Sequence, residues 1–293
     1  MTVLGKRVEI SLDRILFATD FSPAAGKAAM YVKAIAHRYA SEVQIVHVVD
    51  LSAAFNTPDA GICIDAFRQD GENNLQQAKA QFLSEGTRVA TRLCEALDPA
   101  AEVLRVAKER SVDLIVLGTR GHKGLTRLAF GSMAERIIHQ AECPVITVGP
   151  DVKPPESGTF RRIVYATDFS PEAAKAATFA LSFAQDSGAH IYLCHVLPKP
   201  DHHLQVDSQE LTNRYIAALN HLIPDITREW CEPECVLEHG YAADGIGLLA
   251  HRVKADLIVL GTRRVSHWYS TPKAGIAYEV IRAASCPVLT VRG

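Results

Sequence analysis

The sequence predicts an α/β protein made of two tandem doubly wound domains, each a parallel sheet covered by helices on both faces. Three observations predict it. The chain repeats itself: Ala18-Thr-Asp-Phe-Ser-Pro23 recurs as Ala166-Thr-Asp-Phe-Ser-Pro171, and Asp113-Leu-Ile-Val-Leu-Gly-Thr-Arg120 recurs as Asp256-Leu-Ile-Val-Leu-Gly-Thr-Arg263. Cys143-Pro-Val-Ile-Thr-Val148 likewise recurs as Cys286-Pro-Val-Leu-Thr-Val291. The matches keep their order and nearly their spacing, and the period is a whole domain, so the repeat is a tandem duplication and not a solenoid. Within each copy, short apolar runs alternate with helical patterns, the signature of parallel strands joined by crossover helices. Between the copies, Gly149-Pro-Asp-Val-Lys-Pro-Pro-Glu-Ser-Gly158 is a linker by composition. The expected division is a domain at 1–150, a linker at 151–160 and a domain at 161–293.

Arg14-Ile-Leu-Phe-Ala18 reads as a buried strand, followed by a helix from about Ser22 to Ala40. Val43 to Val49 is a second strand. A looser segment is expected from Asp50 to Asp70, then a polar helix from Gly71 to Ser84 and a weak third strand from Thr87 to Ala96. Pro99 opens a helix, Ala100 to Glu109, proline being tolerated in a first turn. Val112 to Leu117 is the fourth strand, Ser132 to Gln140 a helix and Pro144 to Val148 the fifth strand. The second copy repeats this with strands near 162–166, 190–196, 233–238, 256–260 and 287–291.

Composition narrows the function. At 293 residues, 48% apolar and 22% charged, the chain has the balance of a globular protein. A formal net charge of -2 argues against bulk attraction to nucleic acid or anionic membrane. The N-terminus lacks a signal-peptide core, and no uncharged apolar run approaches the roughly 18 residues of a membrane span. A cytoplasmic protein is expected. Seven cysteines in a chain this long do not form a disulfide framework. Cys143 and Cys286 read as packing residues, and Cys231 and Cys235, the only close pair, lack the two further ligands that a metal needs.

The chemistry concentrates in Gly118-Thr-Arg-Gly-His-Lys-Gly-Leu-Thr-Arg-Leu-Ala-Phe-Gly-Ser132. Strand, glycine-rich loop and helix start present backbone N–H groups and a positive helix end to phosphate. The spacing is Gly-x2-Gly-x9-Gly-Ser, neither the dinucleotide fingerprint nor the P-loop. Gly118 and Gly121 permit positive φ and close backbone approach. Ser132 and Glu135 fit a capping box. Arg120, His122, Lys123 and Arg127 add positive charge suited to polyphosphate. In parallel sheets ligands sit beyond the C-terminal strand ends, and there Thr19-Asp20 follows the first strand as Gly118 ends the fourth. Asp20 otherwise reads as a helix cap or turn residue, and His47 and His195 as satisfied, partly buried histidines.

These motifs resemble the universal stress protein family of the ATP-binding kind. Gly118, Gly121, Gly131 and Ser132 match its Gly-x2-Gly-x9-Gly-Ser/Thr motif, Ala18-Thr-Asp-Phe-Ser22 its first-strand motif, and His47-Val48 its second-strand end. The resemblance runs over nearly the whole chain, twice. It implies Rossmann-like domains with five-stranded sheets in the order 3-2-1-4-5, and ATP, with or without Mg2+, at the switch point. Ala18, Thr19, Asp20 and Val48 would lie toward adenosine; Gly118, Thr119, Arg120 and Gly121 would line ribose and phosphates. Gly131, Ser132 and Met133 would offer N–H groups and a hydroxyl to the phosphates. It also implies domain pairing through the fifth strands, within the chain or in a homodimer.

The second copy departs from the pattern. Arg264 stands where Gly121 does, and Ala274-Gly275 where Gly131-Ser132 does, with Trp268 and Tyr269 between. A long side chain then crowds the place of close backbone approach, so ATP binding is expected in the first domain alone. No nucleophile–base pair stands out, and the reading is a nucleotide-binding stress-response or regulatory protein. The alternative is a slow ATPase or phosphoryl-transfer enzyme.

Overall fold

A computed structural model describes residues 8–54, 60–119, 131–155, 160–199, 208–263 and 275–293. The chain forms two compact units, one of Ser11–Gly158 and one of Met1–Ile10 with Thr159–Gly293.

The first unit runs β1 (Arg14–Ala18), α1 (Pro23–Tyr39), β2 (Glu42–Asp50), α2 (Leu51–Ala54), α3 (Ala60–Ser84), β3 (Arg88–Ala96), α4 (Pro99–Glu109), β4 (Leu114–Gly118), α5 (Ser132–Gln140) and β5 (Val145–Val148). All its strand pairs are parallel, and the order is β3-β2-β1-β4-β5. The apolar runs explain why: Ile15, Leu16 and Leu114 to Leu117 are wholly buried, as strands covered on both faces must be. At the edge, β3 is mostly half-exposed and carries Arg88, Arg92 and Glu95, charges that blunt edge pairing and weaken its apolar signal.

The second unit repeats the plan with β6 (Arg162–Ala166), α6 (Pro171–Ser187), β7 (His190–Leu197), α7 (Ser208–His221), a 3-10 turn at Asp225–Glu229, β8 (Glu232–His239), α8 (Ala242–Arg252), β9 (Leu257–Thr262), α9 (Ile276–Ala283) and β10 (Val288–Arg292). Its strands are parallel in the order β8-β7-β6-β9-β10. The first helix of each unit shows how closely the copies follow each other. Ser22 and Ser170 are N-caps, each followed by proline at the first helical position, and Ala40 and Gly188 close the helices in the left-handed conformation.

Two sequence expectations need correction. The segment expected to be loose from Asp50 contains α2 and the start of α3, which begins at Ala60, well before Gly71. Gly71 is not a helix boundary. A Cβ there would lie 2.9 Å from both His47 Cδ2 and Leu93 Cδ1, so the glycine lets the middle of α3 settle on β2 and β3. The segment after β5 that reads as a linker begins by packing on α1. Val152 is fully buried, Tyr31 Oη donates to the Lys153 carbonyl at 2.7 Å, and Lys27 Nζ donates to the Pro150 carbonyl.

Candidate functional site

β1 and β4 are neighbours, with Ala18 level with Leu117, so Asp20 and the end of β4 share the C-terminal edge of the sheet. Ala18 and Thr19 are buried and offer that edge only backbone, whereas Asp20 and Val48 are half-exposed. The turn after β1 is held by its own side chains. Thr19 Oγ1 accepts from the Phe21 N–H at 3.0 Å, Asp20 Oδ1 from the Ser22 N–H at 3.0 Å, and Ser22 Oγ from the Ala25 N–H at 3.3 Å. Asp20 is thus a turn residue, while Ser22 is the cap. The turn forces Phe21 to φ 59°, a left-handed conformation costing about 1–2 kcal/mol in a non-glycine residue.

The glycines play different parts. Gly118 does not have the expected positive φ; among described glycines only Gly86, Gly188 and Gly240 do. Its lack of a side chain serves packing, since a Cβ would lie 2.9 Å from Ala25 N and 3.0 Å from Ala24 C. Gly261 meets the same constraint more tightly, 2.5 Å from Ala173 N and from Glu172 C. Both copies therefore keep this glycine to seat the first turn of their first helix. Gly131 is fixed by its N–H, which donates to the Thr119 carbonyl at 2.9 Å, while the Thr119 N–H donates to Val148 O at 3.0 Å.

The expected capping box is also corrected. Gly131, at φ -70°, is the N-cap of α5, Ser132 is the first helical residue, and among the described residues no side-chain cap is seen at the helix start. A helix start leaves N–H groups without intrahelical partners, and here they belong to exposed Ser132 and half-buried Met133, with the Ser132 hydroxyl alongside. Glu135 stands in the same first turn. α5 is tied to α4 by Arg136, whose guanidinium lies 2.5 Å from Asp98 Oδ1, and Asp98 also caps α4 by accepting from the Ala101 N–H. The Arg136 guanidinium holds the Asp98 carboxyl below its usual range. A depressed carboxyl contributes stability above the unfolded value of about 4 and loses it as pH falls through the folded value. Asp98→Ala should therefore cost about 1 kcal/mol near neutral pH, and urea unfolding should show the gap from wild type closing as pH drops below about 4.

The second unit has the same turn and a different edge. Thr167, Asp168 and Ser170 repeat the bonds of Thr19, Asp20 and Ser22, and Phe169 has φ 61°. Asp168 carries an ion pair to Arg263 at 3.1 Å. Burial works to raise its carboxyl, but the bonds from Ser170 and the Arg263 guanidinium prevail and hold it low. α9 begins one repeat position later than α5, with Gly275 as its N-cap, so the hydroxyl of Ser132 has no counterpart. The Thr262 carbonyl accepts from the Gly293 N–H at 3.2 Å, whereas the Thr119 carbonyl accepts from Gly131. The Asp98–Arg136 strut is rebuilt with new chemistry: Tyr241 Oη donates to Glu279 Oε1 at 2.8 Å.

Arg120 and Gly121 of the expected site lie outside the described residues, as do His122, Lys123, Arg127, Arg264, Trp268, Tyr269 and Ala274. The structure brings together Thr19, Asp20, Gly118, Thr119, Gly131, Ser132 and Met133 through β1, β4 and the two helix starts. The strut to α5 was not read from the sequence, because its two forms share no residue type. Burial drives the Cys143, Cys194 and Cys286 thiols up to about 12 and Cys231 up to about 11. Among the described residues no group of three or more His, Cys, Asp or Glu side chains could hold a metal ion, and no helix is long and apolar enough to cross a membrane.

Comparison with known proteins agrees with this architecture. The chain is 34% identical over 138 residues to universal stress protein MJ0531 of Methanocaldococcus jannaschii, covering 46% of this chain and 81% of that one. It is 30% identical over 146 residues to universal stress protein YxiE of Bacillus subtilis, covering 46% and 98%. A universal stress protein structure from Archaeoglobus fulgidus shares the fold at a TM-score of 0.75 and 20% identity, covering 97% of this chain and 99% of that one. The model of the universal stress protein family matches residues 11–149 and again 159–292. The chain belongs to the universal stress protein family, matching it once in each half.

Proposed function

We propose that the first unit binds ATP at the C-terminal edge of its sheet, between the turn after β1 and the start of α5. The observation that carries this reading is the start of α5: the Gly131 N–H is bound to the Thr119 carbonyl just after β4, among the described residues no side-chain cap is seen there, and the exposed Ser132 hydroxyl stands beside the N–H groups of Ser132 and Met133. Such a start attracts phosphate through aligned N–H groups and the helix dipole. Glu135 opposes this in part, which suits a phosphate that brings a cation such as Mg2+ or meets the basic residues Arg120, Lys123 and Arg127 of the loop. Asp20, half-exposed at the neighbouring strand end, faces the sugar side and accepts from a ribose hydroxyl.

The second unit has a structural or regulatory part without nucleotide. The helix-start hydroxyl that Ser132 supplies in the first unit is gone, and Arg264 stands where Gly121 does. The reading is of nucleotide binding that biases contacts with other domains or proteins, with turnover slow. Calorimetric titration of the full chain tests it: ATP should bind saturably and Asp20→Ala should weaken it by about tenfold, the worth of one hydrogen bond from a charged group. Absence of binding overturns the reading, and steady ADP formation far above background overturns the claim of slow turnover.

A further inference from the structure

We propose that His47 is a positioning residue for the nucleotide edge, which it acts on by fixing the direction of the Thr19–Asp20 peptide. The inference rests on the ATP-binding reading and goes beyond it. β2 holds Thr19 at both backbone groups: the Thr19 N–H donates to Val46 O at 2.9 Å, and the Thr19 carbonyl accepts from His47 Nδ1 at 2.8 Å. A carbonyl only accepts, so Nδ1 carries the proton and the contact selects that tautomer. The peptide that ends in this carbonyl begins the Asp20 residue, and no peptide bond among the described residues is cis. In a planar trans peptide the N–H points opposite to the C=O. His47 therefore turns the Asp20 N–H away from β2, on whose far side from β1 lies β3, and the strand on the other flank of β1 is β4.

The imidazole is itself held from two sides. The Phe21 ring lies 4.9 Å from it, centroid to centroid, and α3 closes on it at Gly71, where a Cβ would come within 2.9 Å of Cδ2. Gly71 thus stands in a helix interior, where glycine is unfavourable, because the ring occupies the space of a side chain. The second unit makes the same bond, His195 Nδ1 to the Thr167 carbonyl at 2.7 Å, with Phe169 at 4.9 Å. There the tyrosine ring of Tyr215 on α7 stacks on the imidazole at 4.8 Å in place of a glycine. The duplicate matters for the test: the same bond exists in a unit read as holding no nucleotide.

The experiment is ATP titration of the full chain in three variants, with urea unfolding of each. His47→Phe keeps an aromatic ring beside Phe21 and removes the donor; ATP affinity should fall by about tenfold. His47→Asn places an amide N–H near the Nδ1 position and should restore most of that affinity. His195→Phe breaks the matching bond at a similar cost to its own unit and should leave ATP affinity unchanged. A long-range nitrogen–proton NMR spectrum should show His47 as the Nδ1–H form. If wild type binds ATP and His47→Phe binds it equally well, or if His195→Phe weakens it as much, the positioning role is overturned. If wild type binds no ATP, it is the reading of the site that fails.

Discussion

Gly121→Arg is expected to abolish ATP binding by the full chain, raising the dissociation constant about a hundredfold or more, equivalent to about 3 kcal/mol. The substitution copies into the first repeat the residue that the second repeat carries as Arg264. A glycine in a phosphate loop lets backbone approach the ligand, and an arginine at that place brings a Cβ and a long side chain into the approach path. The duplication supplies its own control, because a fold of the same plan already accommodates arginine at this repeat position. Unfolding without nucleotide should therefore change little, and a large loss of stability would mean that the variant reports on folding instead. The reverse change, Arg264→Gly, should not create a second site, since α9 starts a repeat position late, at Ile276 after the N-cap Gly275, and lacks the counterpart of the Ser132 hydroxyl. Calorimetric titration of both variants checks the pair of expectations.

Gly118→Ala and Gly261→Ala are expected to be the most destabilising methyl additions at the strand ends. At Gly118 the new Cβ meets backbone at 2.9 and 3.0 Å, and at Gly261 at 2.5 Å. Backbone cannot rotate away as a side chain does, so α1 or α6 must shift on its sheet. Overpacking of this kind costs about 1–3 kcal/mol, and Gly261→Ala should lie at the upper end. Urea unfolding gives the order. The two should differ in function as well. α1 is capped by Ser22 and follows the Asp20 turn, so Gly118→Ala should also weaken ATP binding, whereas Gly261→Ala should leave it intact. Equal stability losses, or a smaller loss at Gly261, would contradict the packing argument.

The residues that carried the sequence reading were those whose role is local or repeated. The buried runs Leu114 to Leu117 and Ile15 to Ala18 announce two-faced strands, and Ser22-Pro23 and Ser170-Pro171 announce helix starts, because each signal is made by neighbours in the chain. What the sequence misplaced depends on contacts across the fold. Gly71 looks like a boundary until His47 and Leu93 are seen beneath it. Gly118 has a packing reason that the sequence does not display, since α1 needs the space. Ser132 and Glu135 have capping-box spacing, but the bond from Gly131 to Thr119 places the cap one residue earlier. The strut between Asp98 and Arg136 was silent because its counterpart at the same repeat positions, Tyr241 with Glu279, shares no residue type with it.

We propose that one repeat kept a nucleotide site that the other lost, while both keep the fold. The measurement that bears on it most directly is the number of ATP molecules bound per chain at saturation, with the chain concentration determined independently. One per chain, falling to none in Gly121→Arg, is the predicted result. Two per chain in wild type would contradict it, showing that Arg264 and Gly275 do not close the second edge, and none would show that the first edge serves another ligand.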